Sequence, residues 1–259
     1  MFSLAGRSAA VVGAGSGIGE AVARGCAEAG AWVYCLDLDG EAAERTAAEI
    51  RVSGDEAAAD PLDILDGTAV TASFEAIAAE RGSLDVVVST PGINVRKPLL
   101  DYTDEEIDRV LGLNLKGSAY VIQSAGRIMR EQRSGSIVLF SSIRSVVVEP
   151  GQGIYAATKA GIVQMVRAAA AELGPHGVRV NAVAPGVIDT PLTAPIKERP
   201  EWYGAYARRN IFGRWGSARE MAGPTVFLAS DAASYVTGTV LFADGGWTAI
   251  DGRFTPPGM

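Results

Sequence analysis

Tyr155 and Lys159 stand four residues apart in an alanine-rich stretch, and Ser142 stands thirteen residues before the tyrosine. On a helix, four residues make one turn, so the phenol and the ammonium share a face. A free phenol has a pKa of about 10 and is a poor base at neutral pH. A nearby ammonium favours the phenolate, and such a pair can exchange a proton with a hydroxyl or a carbonyl. Arg144 and Gln152 flank the same cluster. A guanidinium offers paired donors that match a carboxylate. A primary amide both donates and accepts, which suits hydroxyl groups. Asn94, Arg96 and Lys97 could extend this polar wall, whereas the plainer reading of Arg144 is a solvated loop residue paired with Glu149.

A second constellation opens the chain. In VVGAGSGIGEAV, Gly13, Gly15, Gly17 and Gly19 permit tight backbone paths between a strand and a helix. Free N–H groups at such a helix start suit a pyrophosphate. Asp37 follows 18 residues after Gly19, at the end of the next strand. A carboxylate there can accept from adenosine ribose hydroxyls and repel a 2′-phosphate; alternatively it caps the following helix. With Ser16 and Leu38 as the nearby residues, nothing basic welcomes a phosphate, which favours NAD over NADP.

These residues need a frame. Short β-branched runs alternate with alanine-rich segments of helical spacing, so strands are expected near 8–13, 32–37, 55–60, 84–89, 136–141, 178–183 and 239–243. Helices are expected near 17–30, 40–52, 67–81, 104–131, 155–174 and 219–229. Strand–helix alternation throughout implies an α/β fold: a doubly wound parallel sheet, covered on both faces, in a single domain over 1–259. The stretch 186–217, proline-rich and aromatic, reads as a long irregular flap over a site.

Composition narrows the function classes. The chain of 259 residues is 48% apolar and carries 23 basic against 30 acidic side chains, with no basic run, which argues against nucleic acid. Cys26 and Cys35 read as buried core thiols, since two cysteines make neither a disulfide framework nor a metal site. A Ser-His-Asp triad would have to use His176, the sole histidine. No segment approaches the roughly 20 apolar residues of a membrane span, and no export signal is evident, so a cytoplasmic protein is expected.

The combination of the glycine loop, Asn114 in LGLNLKG, Ser142 and Tyr155-x-x-x-Lys159 resembles the classical short-chain dehydrogenase/reductases. Asp63 before Ile64, PGVIDT at 185–190 and the closing YVTGTVLFADGG extend the resemblance over essentially the whole chain. The resemblance implies that Tyr155 is the general acid/base and that Ser142 steadies the reacting oxygen. Lys159 would tune Tyr155 and hold the nicotinamide ribose, while Asn114 would hold a water in a proton relay. It places NAD against Gly13, Ser16, Gly17, Ile18, Asp37, Asp63, Ile64, Ser89, Ile188 and Thr190, with Ile188 and Thr190 at the carboxamide. Two positions depart from the pattern: Val12 replaces a threonine, and Ser89-Thr90-Pro91-Gly92 replaces Asn-Asn-Ala-Gly, both in turns that brace the cofactor.

Ser142, Arg144, Gln152 and Tyr155 together look similar to dehydrogenases of 2-keto-3-deoxy sugar acids such as the L-fuconate and L-rhamnonate 4-dehydrogenases. A small polar acidic substrate is thus expected, with Asn94 among its contacts. A 3-oxoacyl carrier-protein reductase, a polyol dehydrogenase and a non-catalytic NAD sensor are the alternatives. The resemblance also implies a homotetramer built on helices 104–131 and 155–174. The tail beyond Gly252, with Arg253, Phe254 and Met259, is expected to help close an active site.

Overall fold

The computed structural model describes residues 1–250. Its frame is a seven-stranded parallel sheet made of β1 (Ser8–Val12), β2 (Trp32–Asp37), β3 (Ala57–Pro61), β4 (Val86–Ser89), β5 (Gly135–Phe140), β6 (Val178–Pro185) and β9 (Val240–Ala243), with two short strands of the flap between the last two. The spatial order is β3-β2-β1-β4-β5-β6-β9. The chain therefore moves outward from β1 in one direction, returns, and continues on the other side. That reversal opens a crevice above the carboxyl ends of β1 and β4, where Val12 lies in register with Ser89.

Strand side chains alternate between two cores because the strand period is two. Val11, Val33, Cys35, Val86, Val88 and Val138 face α1 (Gly17–Glu28), α2 (Gly40–Val52) and α9 (Ala222–Ala229). Ala10, Val12, Leu36, Val87, Ile137 and Leu139 face α3 (Gly67–Arg81), α5 (Ser118–Gln132) and α6 (Gly153–Leu173). Both thiols lie in the first core, and burial pushes Cys26 and Cys35 up to about 12, far from thiolate chemistry. Helix starts are set by local chemistry: the Asp39 carboxylate caps α2 through the Ala42 N–H, and Asp66 caps α3. With Asp39 as the cap, Asp37 is left to other work.

Two sequence expectations need correction. The helix expected over 104–131 is interrupted: α4 (Asp104–Leu111) and α5 are joined by one turn of π-helix, Gly112–Gly117, with Asn114 inside it. The flap over 186–217 is not irregular. Its ends are stitched by β7 (Ile188–Asp189) pairing with β8 (Gly216–Ser217), and between them run α7 (Ala194–Lys197) and α8 (Pro200–Ala207). Pro195 and Pro200 stand in the opening turns of those helices, where a missing N–H costs nothing. Tyr206 and Trp215 are buried in the flap's own small core, to which Trp202, Tyr203 and Trp247 contribute.

Candidate active site

The cofactor side of the crevice is built on two glycines that cannot be replaced cheaply. Gly13 has φ +82°, and a Cβ there would lie 2.5 Å from Thr90 Oγ1. A Cβ on Gly19 would overlap the Gly13 carbonyl, so the first turn of α1 presses directly on the loop. Ser16 stands at the N-cap of α1 without a side-chain capping bond. Across the loop, the Gly15 N–H donates to Asp37 Oδ2 at 2.9 Å, and the Asp39 N–H to Oδ1 at 3.0 Å. The carboxylate is thereby fixed at the lip of the crevice, with Asp39 as its neighbour.

The departures at Val12 and Thr90 complement each other. Both the N–H and the hydroxyl of Thr90 donate to the Val12 carbonyl, at 3.1 and 2.9 Å. The hydroxyl missing from β1 is thus supplied by the segment after β4, and the turn stays braced. Ser89 closes β4 between Val12 and Leu139. Beyond β3, Asp63 is exposed and accepts the Leu65 N–H at 2.8 Å, while Ile64 is buried with its Cδ1 against Gly117, where a Cβ would approach it to 2.7 Å. At the flap base, Ile188 is buried, and Thr190 Cβ lies 3.4 Å from where a Cβ on Gly17 would stand. Ile18, Ile188 and Thr190 all border one cavity of ≈ 380 Å³ with the reactive cluster.

Within that cavity, α6 carries Tyr155 and Lys159 one turn apart, with Gln152 as its N-cap. Lys159 is 3% exposed; its Nζ donates to the Phe140 carbonyl at 2.9 Å, and burial lowers it from 10.5 to about 8. No other protein acceptor meets Nζ among the described residues, so two of its three donors remain for a ligand. Ser142 follows β5 at the head of a short 3₁₀ turn. Burial raises the Tyr155 phenol, while its hydrogen bond with Ser142 and the Arg144 charge pull it down. Two cations thus neighbour the phenol: Arg144, and Lys159, whose Nζ lies 5.6 Å from the centre of the Tyr155 ring.

Asn114 is fully buried and fully engaged. Its Nδ2 donates to the Ile93 carbonyl and to Thr158 Oγ1, both at 3.0 Å, and its Oδ1 accepts the Ile93 N–H at 2.9 Å. The side chain therefore clamps the loop after β4 to α6. Its backbone carbonyl accepts the Ser118 hydroxyl at 2.7 Å. His176 lies in a turn beyond the far end of α6, removed from Ser142 and from the cavity.

In the substrate wall, the plainer reading of Arg144 is right about its partner and wrong about its solvation. The residue is paired with Glu149, yet its side chain is only 7% exposed, and it lies 5.4 Å over the Trp247 ring. Glu149 also binds Arg96 and accepts from the Tyr206 hydroxyl at 2.6 Å. Burial works to raise the Glu149 carboxyl, but Tyr206, Arg144 and Arg96 together hold it below the usual carboxylate range. Asn94 Nδ2 donates to Gln152 Oε1 at 3.0 Å, and Asn94 Oδ1 is buried without a partner among the described residues. Lys97 does not join this wall: its ammonium turns away to Glu106, at 2.7 Å, and to the Asp101 carbonyl. Glu149, Tyr206, Trp247 and Thr90 were not assigned to the site from sequence. For Glu149 the signal was present, five residues beyond Arg144, but it was read as a surface partner. The expected tail contribution of Arg253, Phe254 and Met259 lies outside the described residues.

Comparison with known proteins agrees with this geometry. A family model described as enoyl-(acyl carrier protein) reductase matches residues 13–248. A 2-dehydro-3-deoxy-D-gluconate 5-dehydrogenase of Pseudoalteromonas atlantica is 37% identical over 253 residues, covering 95% of this chain and 97% of the relative. A cis-4-hydroxycyclohexanecarboxylate dehydrogenase of Sinomonas cyclohexanicum is 41% identical over 249 residues, covering 96% and 99%. The crystal structure of a gluconate 5-dehydrogenase from Burkholderia cenocepacia, in complex with NADP and tartrate, superposes with a TM-score of 0.91 at 32% identity, covering 96% of this chain and 98% of that one.

Proposed function

We propose that this chain, which belongs to the short-chain dehydrogenase/reductase family and is an oxidoreductase acting on CH–OH groups with a nicotinamide cofactor, uses NAD to oxidise a secondary alcohol of a small polar acid. The best candidate is the C4 hydroxyl of a 2-keto-3-deoxy sugar acid such as 2-keto-3-deoxy-L-fuconate. The observation that carries this reading is the nearly buried Arg144 guanidinium beside Ser142 and Tyr155. Arg144 and Arg96 share the single Glu149 carboxylate, which leaves one positive charge for an anion. The Pseudoalteromonas and Burkholderia relatives, named for a 2-keto-3-deoxy sugar acid and for gluconate, support the substrate class.

The residues present fit the cofactor. The Gly13 and Gly17 cradle leaves room at the head of α1, whose opening amides suit a pyrophosphate. The two spare donors of Lys159 suit the nicotinamide ribose, and Asp37 and Asp39 make the adenosine ribose site acidic, against a 2′-phosphate. Asp63 and the backbone of Ile64 would flank the adenine, with Ser89 beneath, and Ile188 and Thr190 the carboxamide. The chemistry the cofactor supplies when bound is acceptance of hydride from the carbinol carbon.

The rest belongs to the chain. The Tyr155 phenolate takes the hydroxyl proton while the Ser142 hydroxyl holds the same oxygen. The Arg144 charge stabilises the phenolate. Asn94 and Gln152 meet the remaining hydroxyls, the unpartnered Asn94 Oδ1 as acceptor. A relay water would rest on the backbone carbonyl of Asn114, since its side chain has no free polar atom. The reading extends to a homotetramer in the cytoplasm, built on α4, α5 and α6.

The test is initial-rate kinetics, read by absorbance of the reduced cofactor, on 2-keto-3-deoxy-L-fuconate, gluconate and galactitol with NAD and with NADP. The highest kcat/KM is expected on an acid with NAD. A polyol turned over as well as the acids, or a preference for NADP, would refute the corresponding part.

A further inference from the structure

Two guanidiniums share one carboxylate in the substrate wall. Arg144 meets Glu149 Oε2, while Arg96 and the Tyr206 hydroxyl meet Oε1. Arg96, Arg144 and Tyr206 border the cavity; Glu149 does not, so the carboxylate backs the arginines from behind. Among the described residues, no aspartate or glutamate borders the cavity. The cradle presents two positive groups to a ligand with one of the two charges already neutralised.

We propose that Glu149 is the residue that sets the charge of the substrate, limiting the Arg96–Arg144 cradle to monoanions. This rests on the reading of the site as an acid-binding one, and it adds which acids. One carboxylate balances the single surplus charge. Lys159, the other cation bordering the cavity, gives its spare donors to the cofactor in this reading, so a second carboxylate finds no counter-charge on the arginines, and a neutral polyol leaves their surplus unpaired. Each guanidinium commits one edge to Glu149 and keeps others for the ligand, because its five donors are arranged in a rigid fork. The same carboxylate ties the flap to the floor through Tyr206 on α8, so charge selection and closure over the site meet at one side chain.

Threitol, threonate and tartrate share one four-carbon skeleton and carry no, one and two negative charges. Their binding to the cofactor-saturated enzyme, by calorimetry, separates the outcomes without turnover. Wild type should prefer threonate. Glu149→Gln, which keeps the shape and removes the charge, should raise tartrate relative to threonate by about tenfold or more. Arg96→Gln, which removes the surplus charge, should shift preference toward threitol; it also serves if the Glu149 variant fails to fold. Tyr206→Phe, which breaks the flap bond without altering charge, should leave the tartrate-to-threonate ratio as in wild type. The proposal is overturned if that ratio is unchanged in Glu149→Gln, if Arg96→Gln leaves the preference where it was, or if Tyr206→Phe moves the ratio as far as Glu149→Gln. A wild type that prefers threitol would instead overturn the acid-binding reading itself.

Discussion

Replacing Lys159 with Met should stabilise the cofactor-free protein while crippling it as a catalyst. The ammonium is 3% exposed with a single protein acceptor among the described residues, the Phe140 carbonyl, and burial lowers it from 10.5 to about 8. The folded chain thus holds that proton less tightly than the unfolded chain. Between about 8 and 10.5 the unfolded state binds more protons, so stability rises with pH there, and below about 8 the full penalty is present. At about 1.4 kcal/mol per pH unit, the gap corresponds to roughly 3 kcal/mol. Methionine escapes that penalty but leaves the Phe140 carbonyl without its donor, which costs about 1–3 kcal/mol. A net gain of up to about 2 kcal/mol at neutral pH remains, equivalent to a Tm rise of up to roughly 8 °C for a chain of this size. Scanning calorimetry of both proteins without cofactor, at neutral pH and again near the upper end of the window, measures it. The difference should narrow as pH climbs. Saturating NAD should reverse the order, since only the wild type keeps the ribose donors. A Tm that falls at neutral pH, or a difference independent of pH, would refute the reasoning.

Tyr155→Phe should retain NAD binding and lose about 10²–10⁴-fold in kcat, because the ring still fills its place but carries no proton; stopped-flow or steady-state rates retaining more than about a tenth of wild type would remove the tyrosine from its role. Joint replacement of Asp37 by Ala and Leu38 by Arg should move the kcat/KM preference toward NADP, since it removes a fixed carboxylate and places a cation on an exposed position at the ribose site. Side-by-side kinetics with both cofactors would show whether the preference stays put, which would locate the selectivity elsewhere.

Much of the frame was readable because strand and helix periods differ. The strand expected at 32–37 and the helices expected at 40–52 and 67–81 occur with those bounds. The π-turn was not read: Gly112, Asn114 and Gly117 are poor helix formers and weaken the helix there, but an extra residue per turn leaves no mark in hydrophobic spacing. The flap was misread because proline was taken only as a breaker, whereas Pro195 and Pro200 begin helices. At the site, Ser142, Tyr155 and Lys159 come together through short-range sequence, one strand end and one helix turn. The contacts missed are long-range. Tyr206 reaches Glu149 across 57 residues, and Thr90 reaches Val12 across 78. No local pattern encodes such meetings; the fold makes them.

The π-turn at Asn114 makes chain length, as well as residue identity, a determinant of the site. A π-turn spends one residue more than an α-helix would over the same path. Deleting a single residue between Gly112 and Gly117 would let α4 and α5 merge into one regular helix, a locally favourable repair. Every residue on the α4 side would then rotate by about 100° about the axis. Val110, the one fully buried residue of α4, would turn out of its place, and the Asn114 clamp on Ile93 and Thr158 would be lost. Point substitutions cannot produce that rotation, because they leave the count of residues unchanged. Over this short span, an insertion or deletion is a sharper threat to the site than most changes of side chain, although no atom that touches the substrate need be altered.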